Sequence, residues 1–153
     1  MNQNIVIAPV LLPFIAALIL LAANRLPISA RRPLAILAVL GQIALAFVLV
    51  AAVNGGEVLV YRLGNWSAPW GIVLVADRLA ALMLLVTALL ALFALIHAGE
   101  DDDRRGPFFH VLFMLQLFGL SGAFLTGDLF NLFVFFEVLL IASYGLLLHG
   151  GGE

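Results

Sequence analysis

Five apolar runs, separated by polar connections, make up most of the chain: Ile5 to Ala23, Pro33 to Val53, Leu79 to His97, Pro107 to Thr126 and Leu129 to Leu148. A bilayer hydrocarbon core about 30 Å thick takes about 20 apolar residues of α-helix, so each run predicts one membrane-spanning helix. Pro33 and Pro107 open their runs, and a first-turn proline loses no hydrogen bond there because its missing N–H has no helical partner. Pro13 lies inside the first run and predicts a kink. In lipid such a kink requires a neighbour or side chain to satisfy the carbonyl it frees. Only Thr126-Gly127-Asp128 separates the last two runs, which predicts an antiparallel helical pair with Gly127 ending one helix and Asp128 capping the next.

The connection from Asn54 to Arg78 is patterned differently. Glu57 to Leu63 and Gly71 to Val75 are two short β-branched runs around Asn65-Trp66-Ser67-Ala68-Pro69-Trp70, which predicts a hairpin on one membrane face. Trp66 and Trp70 suit the headgroup level, where an indole is half wet. Asn65-Trp66-Ser67 also fits the glycosylation pattern, a short motif that arises often by chance. The fold class expected is therefore all-α: a polytopic membrane protein of about five transmembrane helices, a single transmembrane region over 1–153, with a short external β-hairpin between the second and third helices.

Composition rules out the soluble alternative. Hydrophobic residues are 65% and charged residues 10%, with a mean hydropathy of +1.20, against about 25% charged residues in soluble domains. The absence of cysteine excludes a disulfide framework and a thiolate metal site, and no cofactor or metal is expected. All seven basic residues are arginine and lie outside the apolar runs, without aromatic platforms beside them, so nucleic-acid binding is excluded. Arg25, Arg31 and Arg32 fall in the first connection and Arg104 and Arg105 in the third. The positive-inside rule then puts both connections on the cytoplasmic side of the membrane, with the N-terminus and hairpin outside and the end of the chain cytoplasmic. Met1-Asn2-Gln3-Asn4 carries no positive charge in its side chains, so the first run reads as a retained helix rather than a signal peptide. Glu100-Asp101-Asp102-Asp103 reads as a solvated loop.

One residue breaks the apolar pattern in a way that points to chemistry. Glu137 lies nine residues after Asp128, roughly 13 Å into a core about 30 Å thick, close to the midplane. An ionised acid there costs about 2.5–3.5 kcal/mol on insertion scales, so it persists by pairing, hydration or protonation. A carboxyl that exchanges a proton at that depth is what a proton-carrying site needs; the plainer alternative is a polar residue that fastens helices together. Gln116 lies as far before the turn as Glu137 lies after it, so the two share a depth. Tyr144 follows on the Glu137 face, with Phe133, Val134, Leu140 and Ile141 as same-side neighbours. His110, His149 and His97 fall near the ends of their runs, where an imidazole can relay protons or simply sit at the interface. Gln42 and Thr87 read as packing groups within their spans.

The string Gly127-Asp128-Leu129-Phe130-Asn131-Leu132-Phe133-Val134-Phe135-Phe136-Glu137, continuing through Ser143-Tyr144-Gly145, closely resembles the fifth helix of the D subunit of multisubunit Na+/H+ (Mrp-type) antiporters. It is also related to the antiporter-like, proton-pumping membrane subunits of respiratory complex I. Gly71 to Leu79 resembles the same family's entry to its third helix. Family members are much longer, with inverted repeats that each contain a broken helix, so the chain reads as an N-terminal fragment of one. The resemblance implies that Glu137 is the acid that pairs with a lysine on the family's seventh helix. This sequence contains no lysine, so that partner would have to come from outside it. It further implies a transporter subunit rather than an enzyme, moving H+ and a monovalent cation such as Na+ with other subunits of a complex in membrane lipid. Two alternatives stand beside it: a proton-pumping membrane subunit of an NADH:quinone oxidoreductase, and a non-transporting membrane scaffold.

Overall fold

The structure is a computed structural model that describes residues 3–65 and 71–149. A helical turn, Gln3–Ile7, leads into α1 (Ala8–Ala22); α2 (Ile28–Val53), the strands β1 (Leu59–Arg62) and β2 (Val73–Ala76), α3 (Arg78–Ala98), α4 (Phe109–Leu125) and α5 (Leu129–Leu147) follow. Four of the helical segments are long and apolar enough to cross a membrane, and α4 is a shorter apolar helix. The expected all-α, polytopic class holds. The hairpin is present too, with antiparallel pairing of Leu59 with Ala76 and Arg62 with Val73. Trp66, Trp70 and the Trp66-Ser67 part of the glycosylation pattern lie outside the described residues.

Helix α4 lies against both α1 and α5, while α2 joins α1 to α3. Two apolar clusters form the interior. One, with Val10, Ala46, Leu49, Leu84 and Leu125, lies toward the hairpin; the other, with Ala17, Leu20, Val39, Leu95, Met114 and Leu117, lies toward the arginine-rich connections. Between them sits a polar bridge. The Nε2 of Gln42 donates to the Pro9 carbonyl at 2.9 Å and to the Ser121 hydroxyl at 2.9 Å. Pro9 is four residues before Pro13, so its carbonyl is the one that Pro13 leaves without a helical donor. The freed carbonyl is thus satisfied from a neighbouring helix, and the packing role expected of Gln42 has a definite object.

Helix ends follow the same logic. Asp77 caps α3 by accepting from the Ala80 N–H at 2.7 Å, and Arg78 donates to the carbonyls of Val53 and Asn54 at the end of α2, where a cation suits the helix dipole. Asp128 caps α5 as expected, accepting from the Asn131 N–H at 2.7 Å and from its side-chain amide at 2.8 Å.

Three local expectations need correction. Helix α2 begins at Ile28, with Pro27 in the cap position, so Pro33 lies more than a turn inside it. Pro107 precedes α4, which begins at Phe109. Gly127 does not close α4 as a left-handed cap, since among the described glycines only Gly56 and Gly64 have positive φ. Its value is its lack of a side chain. The Gly127 N–H donates to the Val73 carbonyl at 2.8 Å, and a Cβ there would stand 2.8 Å from Val75 Cγ2. The hairpin and the α4–α5 turn are therefore joined through backbone.

Replacing Gln42 by Leu removes both bonds and leaves the Pro9 carbonyl bare. The expected loss is about 1–2 kcal/mol of stability, read as a lower thermal midpoint of the purified protein. The loss should shrink in a Pro13→Ala background, where residue 13 regains an N–H for that carbonyl.

Candidate functional site

Helix α5 is packed on one side. At the α4–α5 contact a Cβ on Gly119 would meet Leu139 and the Phe135 carbonyl at 3.0 Å, one on Gly122 would run into the Phe135 ring, and one on Gly145 would stand 2.9 Å from Leu112. Small residues at these positions let two helix backbones approach closely, the usual packing device in a solvent as apolar as the side chains.

Glu137 stands near the middle of α5 and is exposed on the side turned away from α4. Phe133, Val134, Leu140, Ile141 and Tyr144 are exposed on that side as well. An apolar stripe with one carboxylic acid near its centre thus faces outward from the bundle. Gln116, at the same depth on α4, lines an open groove of about 240 Å³ with Thr87, Ala91 and Phe113. It is turned toward α3. Equal distance from the turn sets equal depth, but each residue rotates the side chain by about 100°, and that rotation separates Gln116 from Glu137.

A second polar constellation lies at the arginine-rich end. Arg32, in the second turn of α2, grips Asp103 with two bonds, Nε to Oδ2 at 2.8 Å and Nη2 to Oδ1 at 2.9 Å. Asp103 is 1% exposed and His110, the second residue of α4, is 2% exposed; His110 Nε2 stands 3.6 Å from Asp103 Oδ2. Nearby, Arg31 donates to Asn24 and to the Pro107 carbonyl. His149 reaches the Asp102 carbonyl at 3.2 Å, and its ring lies 5.4 Å from that of Phe109. His97 is exposed at the end of α3. Asp103 corrects the reading of the acidic run as a solvated loop: Glu100, Asp101 and Asp102 are exposed, but the last acid turns inward to a guanidinium. The available signal was that the two arginine-bearing connections and the acidic run fall at one end of the bundle.

Known proteins resemble this chain in sequence and in fold. No protein-family model matches the chain. It is 48% identical over 98% of its length to a probable K+/H+ antiporter D subunit of Rhizobium meliloti, and 43% identical over 97% to a Na+/H+ antiporter D subunit of Alkalihalophilus pseudofirmus. The chain is a relative of the antiporter D subunits. It spans about 30% of the length of these relatives. It is also 37% identical to an NADH-quinone oxidoreductase N subunit of Desulforudis audaxviator, over 99% of this chain and 31% of that one. Two solved structures share its fold: the Mrp complex from Dietzia sp., with a TM-score of 0.82 and 32% identity over 95% of this chain and 27% of that one, and an archaeal membrane-bound sulfane sulfur reductase, with 0.84 and 29% over 94% and 30%. Together with the apolar helices, these relatives identify the D-subunit relative as an integral membrane protein.

Arg32→Gln strands a buried carboxylate and should cost roughly 3 kcal/mol, more than Asp103→Asn, which leaves a half-exposed guanidinium. Arg105→Gln breaks only pairs to exposed Asp101 and Asp102 and should stay within about 0.5 kcal/mol. Thermal midpoints of the three variants, measured side by side, check the order.

Proposed function

We propose that this chain is part of a monovalent cation/proton antiporter subunit in a bacterial plasma membrane, with Glu137 as the intramembrane group that carries the proton. The observation that carries the reading is the placement of Glu137 near the middle of α5, on the face that α4 does not cover. A residue kept only for local helix packing would turn toward its neighbour, as Gln42 does. Glu137 instead faces the side where a longer protein or a neighbouring subunit would supply its charge partner, and an acid there is tolerable only with such a partner, with water or with a proton. Alternation between those states is proton carriage. Other subunits of a complex are the natural partners, and the chain performs no bond chemistry of its own. Tyr144 on the same face is a candidate helper at about two turns' distance; Gln116 would act through water in its groove, and His110 near the end of the path. The arginine-rich end is cytoplasmic and the hairpin external by the distribution of charge.

The N-subunit relative favours a second reading, a proton-pumping membrane subunit of a quinone oxidoreductase. Co-purification separates the two: small antiporter subunits support the first, flavin and iron–sulfur subunits the second.

The names of the two antiporter relatives divide between K+ and Na+, so exchange by the full-length complex in vesicles is measured with both ions. Glu137→Gln is expected to abolish exchange across the pH range, and Glu137→Asp to retain it with a displaced pH profile. Undiminished exchange in Glu137→Gln would reduce this residue to a packing group and favour a scaffold.

A further inference from the structure

The buried cluster at the arginine-rich end contains more than a structural pair requires. Arg32 already engages both oxygens of Asp103, which is what a buried carboxylate needs for its own stability. His110 adds no hydrogen bond to this arrangement, because Nε2 stands at 3.6 Å, and its Nδ1 is buried with no partner among the described residues. An apolar side chain would fill the same space without an unmet polar atom. The neutral imidazole is therefore poorly served at this position.

Adding a proton changes the balance of contacts. Both ring nitrogens become donors, and a carboxylate has about four acceptor positions, of which Arg32 uses two. With Nε2 carrying the N–H of the neutral ring toward Oδ2, the unpartnered Nδ1 is where an added proton goes, and the carboxylate offsets the charge it brings. The other groups around the ring are known. Arg31 and Arg32 from α2 and His149 beyond α5 carry or can carry positive charge, Asp103 from the α3–α4 connection is the negative group among them, and the Phe109 ring lies edge-on at 5.4 Å. The Arg32 side chain is 30% exposed, whereas Asp103 and His110 behind it are shielded.

We propose that Arg32, Asp103 and His110 form a second proton-binding site, in which His110 accepts a proton from water at this end of the bundle and Asp103 positions the imidazole and offsets its charge. The step is a transfer from hydronium or water to the ring nitrogen, and it takes the cluster from net neutral to singly positive. The inference rests on the reading that the chain moves protons, and it assigns the end at which they enter or leave. The α3–α4 connection that carries Asp103 also touches His149, just beyond the end of α5.

Two measurements test the site. In vesicles containing the full-length complex, His110→Gln should retain exchange at alkaline pH and move the acidic limb of the profile by about one pH unit, whereas Glu137→Gln should be silent throughout. A His110→Gln profile that superimposes on wild type, beside a silent Glu137→Gln, overturns the inference and leaves the Glu137 reading intact. If Glu137→Gln retains exchange, that reading fails and imidazole NMR of the labelled full-length protein decides the inference alone. His110 ring nitrogens that titrate between about pH 4 and 7, with a midpoint displaced in the milder Asp103→Glu variant, support it. A ring with one protonation state across that range overturns it.

Discussion

A helix in a bilayer has no water to satisfy a broken backbone hydrogen bond, and this bundle is organised around one such break. Pro13 removes the donor for the Pro9 carbonyl, and the amide of Gln42 supplies it from α2 while also meeting Ser121 on α4. A proline that weakens one helix thereby fixes three against each other at the depth between the two apolar clusters. Apolar side chains alone give lipid-embedded helices little reason to prefer one register over another. The amide bridge provides a reason, because sliding α2 by one turn would strand the carbonyl, the hydroxyl and the amide together.

The same constraint explains how the hairpin holds the last two helices. The α4–α5 turn is too short to satisfy its own backbone, so β2 does so, with the Val73 carbonyl accepting from Gly127 and Leu74 bridging Thr126. Glycines at 119, 122 and 145 then bring α5 close to α4. Because that contact is tight and one-sided, α5 is positioned accurately while most of its circumference stays open. On the proposed reading of Glu137, that combination of a fixed backbone and an unoccupied side is what leaves the carboxylic acid open to a charge partner.

Much of the fold was legible because apolar runs of membrane-spanning length have few alternative structures, and because Asp128 and the paired β-branched runs carry local signals. The place of Glu137 near the middle of α5 was legible by the same count of residues. Rotation about the helix axis was not: Gln116 shares that depth yet faces α3, since depth grows by residue count whereas facing depends on which neighbour the glycines admit. The start of α2 was misplaced because Pro33 looks like a first-turn residue, while the helix extends back through polar Arg32 and Arg31 to Ile28. Asp103 was hidden among three solvated acids, since sequence cannot distinguish an acid that faces water from one that meets an arginine seventy-one residues away.

That pairing also resolves a conflict between topology and local electrostatics. The charge distribution that orients a membrane protein puts arginines beside the ends of helices, and here Arg31 and Arg32 fall in the opening turns of α2, where the dipole's positive end disfavours them. An acid brought from the α3–α4 connection removes the conflict at Arg32. Asp103 also approaches His110 in the first turn of α4, so the same carboxylate serves a second helix N-terminus, where the dipole favours an anion. One buried acid is thus stabilised by a guanidinium and by the positive end of α4. An imidazolium at His110 would add a further favourable partner to a carboxylate already held in place. The same positive helix end opposes a cation at His110, so an imidazolium there would depend on the adjacent carboxylate.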